Sequence, residues 1–146
     1  MSLADWQRSS WLVPHASSRE EIAGLLAVID RDLANATLAG LSPDWRCSIA
    51  YNAALQAATA ALAASGFRAA REQHHYRTIQ SLSLTIGWSA ELVSRLDRFR
   101  KKRNIAGYET AGAISAHEAD RAYALAQRLR AEVRRWLESR HPELLR

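Results

Sequence analysis

Residues 42–66 read SPDWRCSIAYNAALQAATAALAASG, and the fold class follows from them. Ser42 offers an N-cap oxygen, Pro43 suits the first helical position, and Asp44 sets a negative charge in the first turn. Tyr51, Leu55, Ala58 and Leu62 then recur three and four apart until Gly66 ends the pattern. The spacing predicts a long helix so rich in alanine that a neighbour can approach its axis closely.

The same punctuation extends outward on both sides. Upstream, Ser18 and Glu21 have the spacing of a capping box, and Ile22, Leu25, Leu26, Ile29 and Leu33 form one stripe until Gly40. Downstream, residues 67–73 form a connector. From about His74 a third helix carries His75, Ile79, Leu82 and Ile86 before Gly87. Ser89 caps a fourth with Leu92, Leu96 and Phe99, ending near Gly107, and Thr110 to Ile114 is a short turn. Ser115 and Glu118 form a second capping box, opening the longest helix. There Ala119, Ala122, Ala126, Leu129, Val133 and Trp136 alternate three and four apart as far as His141 and Pro142. No period-two run marks a strand.

The chain therefore reads as all-α, an antiparallel up-and-down bundle of about five helices. Residues 1–17, with Trp6, Trp11 and Pro14, are expected to be an irregular N-terminal arm laid over the bundle. Residues 18–141 form a single helical-bundle domain, and 142–146 a C-terminal tail.

With 146 residues and 48% hydrophobic content, the chain can bury a core without staples. Cys47 is its one cysteine, which excludes an internal disulfide and suits a reducing compartment such as the bacterial cytoplasm. No segment approaches the roughly 20 apolar residues of a membrane span. Met1 to Gln7 lacks the basic and apolar regions of a secretory signal. The expectation is a cytoplasmic protein with no membrane partner.

Charge is unevenly placed. Residues 1–66 hold four arginines against six acids, net −2, whereas residues 67–103 hold nine basic groups against three acids, net +6. The densest part is Arg95, Arg98, Arg100, Lys101, Lys102 and Arg103 with Asp97 as their sole acid. Such a run is either a solvated helix face or a phosphate-binding surface, and these six residues are the candidates for nucleic-acid contact. At 100° per residue, Leu92, Leu96, Phe99, Arg103 and Ala106 fall within about 80° of arc. Arg103 thus continues the apolar stripe. It needs a carboxylate, a carbonyl, a second subunit or a phosphate as partner, unless it reaches water at the end of the bundle. Asn104 follows it, and Gly107 lets the chain turn so that Tyr108 folds back toward the same end.

The segment from Asp97 to Glu109, DRFRKKRNIAGYE, followed by the Ser115 cap and a final helix ending in Trp136, resembles the HEPN superfamily of helical bundles. The resemblance runs from about the alanine-rich helix to the C-terminus. A bacterial branch of that superfamily is also similar at Gly66-Phe67-Arg68 and His74-His75. The family motif is an arginine, often followed by asparagine, and then a histidine after four to six intervening residues. The resemblance implies a metal-independent ribonuclease, in many members the toxin of a toxin–antitoxin pair, with its site where two bundles meet as a homodimer. It implies that Arg103 stabilises the phosphorane charge and Asn104 orients it. The chain departs from the pattern in carrying Tyr108 where the histidine belongs. Tyrosine ionises near pH 10, which makes it a far poorer base at neutral pH.

His74 and His75 are the other candidates for that base, since antiparallel packing sets the start of one helix beside the end of the next. His75 completes the candidate catalytic set of Arg103, Asn104 and Tyr108. His117 and Asp120 share one helix face, but no zinc motif is present and no cofactor is expected. Tyr76, Tyr123 and the tryptophans read mostly as core. Two functions follow from these residues. One is an RNA-directed module with a weak or altered nuclease site across a dimer, partnered by an antitoxin-like protein. The alternative is a non-catalytic, dimeric scaffold that binds a protein partner and uses Arg103 and Asn104 for structural hydrogen bonds.

Overall fold

The computed structural model describes residues 1–108 and 112–146, with side chains 104–108 outside the description. The elements in order are α1 (Leu3–Arg8), β1 (Leu12–Pro14), α2 (Arg19–Asn35), α3 (Pro43–Ala64), β2 (Phe67–Ala69), α4 (His74–Gln80), α5 (Leu82–Thr85), α6 (Ala90–Tyr108) and α7 (Ala116–Arg140). A 3-10 turn, Pro142–Leu144, closes the chain. This is an all-α bundle with one short two-stranded sheet. Among the described residues no helix is long and apolar enough to cross a membrane.

The alanine-rich helix α3 is the axis of the molecule, in contact with α2, α4, α5, α6 and α7. Ala50, Ala53, Ala54, Ala57, Ala58, Ala60 and Ala61 are all buried, so α3 is covered well beyond the single stripe the sequence suggested, with Asn52, Gln56 and Thr59 half-buried on its remaining face. Methyl side chains allow this, because each neighbour can pack close to the backbone. Ile22 and Ile29 from α2, Ile79 from α4, Leu82 from α5, Leu96 from α6 and Leu129, Val133 and Leu137 from α7 complete the core.

The helix starts follow the local chemistry. Ser42 accepts from the Trp45 amide, and Ser115 and Glu118 form the reciprocal capping box. Ser18 accepts from the Glu21 amide, but the Glu21 carboxylate turns away to His15 Nε2 at 2.7 Å, so the predicted box is half made. Asp44 accepts from the amides of Gly112 and Ile114 at 2.7 and 3.1 Å, tying the approach to α7 onto the start of α3.

Three expectations are corrected. The arm is not irregular throughout: Ser2 and Asp5 form a capping box that starts α1, which buries Trp6. The connector holds a strand, for β2 pairs antiparallel with β1 in the register Leu12↔Ala69, Val13↔Arg68 and Pro14↔Phe67. Three residues are too few to show a period, and the pair is held by a satellite cluster of Trp6, Leu12, Leu62 and Ala69. The third predicted helix breaks at Ser81 into α4 and α5. Thr78 Oγ1 donates to the His74 carbonyl and Ser81 Oγ to the Thr78 carbonyl, side-chain bonds that compete with a straight helical ladder. On α7 the seam extends to the fully buried Leu137, with Trp136 half-buried against the same core and its ring 4.9 Å from that of His141.

Candidate functional site

The basic run on α6 does not form one surface. Arg100 and Lys101 both reach back to the buried Asp97, Arg100 through Nε at 2.6 Å and Lys101 through Nζ at 3.6 Å. The hydrogen bond to Asp97 raises the Arg100 pKa, so this guanidinium is a fixed positive charge. On the other flank, Arg95, Arg98, Phe99 and Lys102 line a groove with Glu118 and Arg121 of α7, and Lys102 pairs with Glu118. Arg95, Arg98 and Lys102 thus face α7, whereas Arg100 and Lys101 turn back to Asp97, and Arg98, Lys101 and Lys102 are exposed.

The start of α4 lies against α6, as antiparallel neighbours require. Gln73, His74, His75, Tyr76 and Arg100 line one shared groove. Gln73, which precedes α4, takes a left-handed conformation with φ 53°, a costly one for a side chain with a Cβ. The two imidazole rings lie 5.8 Å apart at 67° to one another. Partial desolvation, then His74 and the guanidinium groups of Arg103 and Arg100, hold His75 below the usual imidazole range. It is therefore a neutral acceptor at pH 7.

Arg103 is half-buried, and its guanidinium carbon lies 5.4 Å from the centroid of the Tyr51 ring. Its described contact is an aromatic face from α3, which was not among the partners expected from its place in the stripe. Asn104 and Tyr108 lie on α6, but their side chains fall outside the described residues, so the structure assigns them no contacts.

Several site residues were not read as such in the sequence. Tyr76 is only half-buried, and its ring is flanked by Arg77 and Arg100 at 5.5 and 5.4 Å. Arg77 in turn stacks at 3.6 Å on Trp11, next to β1. A ladder of alternating rings and guanidinium groups therefore runs from the N-terminal arm into the groove. The alternation is invisible along the chain, because Trp11, Tyr76 and Arg100 come from three separate elements. Tyr51 was read as one residue of an apolar stripe, and nothing local marks it as the seat of Arg103.

Among the described residues, no group of three or more His, Cys, Asp and Glu is arranged to hold a metal ion. Cys47 is buried, and desolvation pushes its thiol up to about 11, with Asp44 adding to the rise against the opposing charge of Lys102. The groove is thus cationic, aromatic and equipped with a neutral imidazole, a combination suited to a phosphodiester. No protein-family model, curated protein or solved structure matches the chain.

Proposed function

We propose that this protein is an RNA-directed helical module of HEPN type whose working surface is the groove between α4 and α6. The observation that supports this reading most is the meeting of His74, His75 and Tyr76 from α4 with Arg100 from α6, beside Arg103. Arginine forks match phosphate oxygens, and a half-exposed tyrosine ring offers a face for an unpaired base. The superfamily histidine is absent at Tyr108, and His75 takes its place from another helix. In a cleavage step His75 would take the proton of a ribose 2′-hydroxyl as its oxygen attacks phosphorus. Arg103 would balance the charge on the phosphorane. The phosphorus–O5′ bond would break, with the leaving oxygen taking a proton from water. On this reading the protein acts as a homodimer and its natural regulator is an antitoxin-like protein.

A scaffold function has one specific observation behind it. Leu38 and Trp45, at the turn between α2 and α3, are 59% and 66% exposed, which suits a protein partner.

Filter binding and cleavage of mixed single-stranded RNA in chelator, at two salt concentrations, separates the readings. Salt-sensitive binding that Arg103→Ala removes is the expected result, with cleavage lost and binding kept in His75→Ala. No binding by the native protein at low salt overturns the nucleic-acid reading and leaves the partner-binding bundle.

A further inference from the structure

Tyr51 stands out among the buried polar groups. The residue is 1% exposed, and its hydroxyl has no hydrogen-bond partner among the described residues. Buried hydroxyls are nearly always bonded, because an unmade bond carries the full desolvation penalty. Structural need does not account for the oxygen, since a phenylalanine ring would fill the same volume of α3. Three charges surround it, all from α6: Arg103, Arg100 and Asp97. Burial, with Asp97 acting in the same direction against the two arginines, pushes its ionisation up to about 12, so it is a donor at every physiological pH.

Arg103 is half-buried, and its guanidinium carbon lies 5.4 Å from the centroid of the Tyr51 ring. A cation–π contact is weaker than the paired, charge-assisted hydrogen bonds that a guanidinium makes with a phosphate. A phosphate within reach of Arg103 would therefore compete with the ring for its guanidinium.

We infer that Tyr51 Oη and the Arg103 guanidinium form one phosphate-binding pair, with the arginine resting on the ring in the free protein and the hydroxyl donating to a non-bridging phosphate oxygen once ligand is bound. This rests on the RNA reading above and adds to it a binding residue from the central helix. Among the described residues the oxygen has no partner in the free protein, and the bound phosphate supplies an acceptor.

The test is Tyr51→Phe in the full chain, with a fluorescein-labelled single-stranded RNA decamer as probe and thermal unfolding as a second readout. The pair predicts that Kd rises about tenfold, as for loss of one hydrogen bond to a charged acceptor, while the melting temperature holds or rises. Native-like affinity in Tyr51→Phe, with binding still lost in Arg103→Ala, overturns the pair and leaves the RNA reading in place. A melting temperature several degrees lower in Tyr51→Phe also overturns it, since the hydroxyl would then have a partner within the fold. Absence of decamer binding by the native chain removes the RNA reading and the pair together.

Discussion

The Arg77 guanidinium lies 3.6 Å from the centroid of the Trp11 ring, so the N-terminal arm is stacked directly on the helix that carries His74 and His75. Beyond that stack, Trp11 meets Trp6 edge-on with centroids 5.5 Å apart, and the arm pairs with β2. The arm is thus a brace for the start of α4. Trp11→Ala removes both ring contacts from a half-buried site and is expected to cost about 2 kcal/mol in denaturant unfolding. Faster amide exchange across Leu12–Pro14 and Phe67–Ala69 should accompany it. Unchanged exchange there would mean that the arm holds its place without the stack.

The burial of the alanines of α3 makes a second prediction. Ala57 is fully buried where helices close on α3 from several sides. Ala57→Leu adds three heavy atoms to a packed site and should destabilise by about 3 kcal/mol, although leucine is nearly as good a helix former. Urea unfolding measures this. A neutral outcome would show that α3 has slack on that side.

Asp44 carries two duties in one carboxylate, a charge at the start of α3 and an acceptor for the Gly112 and Ile114 amides. Asp44→Ala should cost about 2 kcal/mol, and Asp44→Asn, which keeps an acceptor, less. Exchange of the 112 and 114 amides should quicken in the alanine variant, and protection equal to native would separate Asp44 from that loop.

His75 links stability to pH. Its ionisation is depressed in the folded chain, so below the ordinary value of 6.5 the unfolded chain holds the proton more tightly. Stability is therefore full above pH 6.5 and falls as pH drops through that value toward the folded pKa. His75→Gln abolishes this loss, so the variant should gain on the native protein as pH falls from about 7.5 to about 5. Parallel stability curves, or an imidazole titrating at or above 6.5 by NMR, would contradict the groove's electrostatics.

The residues alone determined the class of fold and the positions of most helix starts. Caps and stops are local chemistry: Ser42 with Pro43, Ser115 with Glu118, and the glycines at 66 and 87 act within a few bonds of the backbone they direct, whereas α2 ends at Asn35, ahead of the stop expected at Gly40. Periodicity likewise exposed the core stripes of α2 and α7, because each repeats along one helix. The concentration of charge before residue 104 and the anomalous place of Arg103 on an apolar stripe were also legible, as was His75 as a candidate.

Tertiary structure alone decided what those residues meet. Leu12 pairs with Ala69, Arg103 sits on Tyr51, and Trp11 holds Arg77 because packing around α3 brings distant segments together. The basic run splits for the same reason: Arg95, Arg98 and Lys102 line a groove with α7 while Arg100 lines one with α4, since a helix hands successive side chains to different neighbours. A sequence states its own periods and caps, whereas pairings across a core depend on how every helix is turned about its axis, which only the assembled bundle sets.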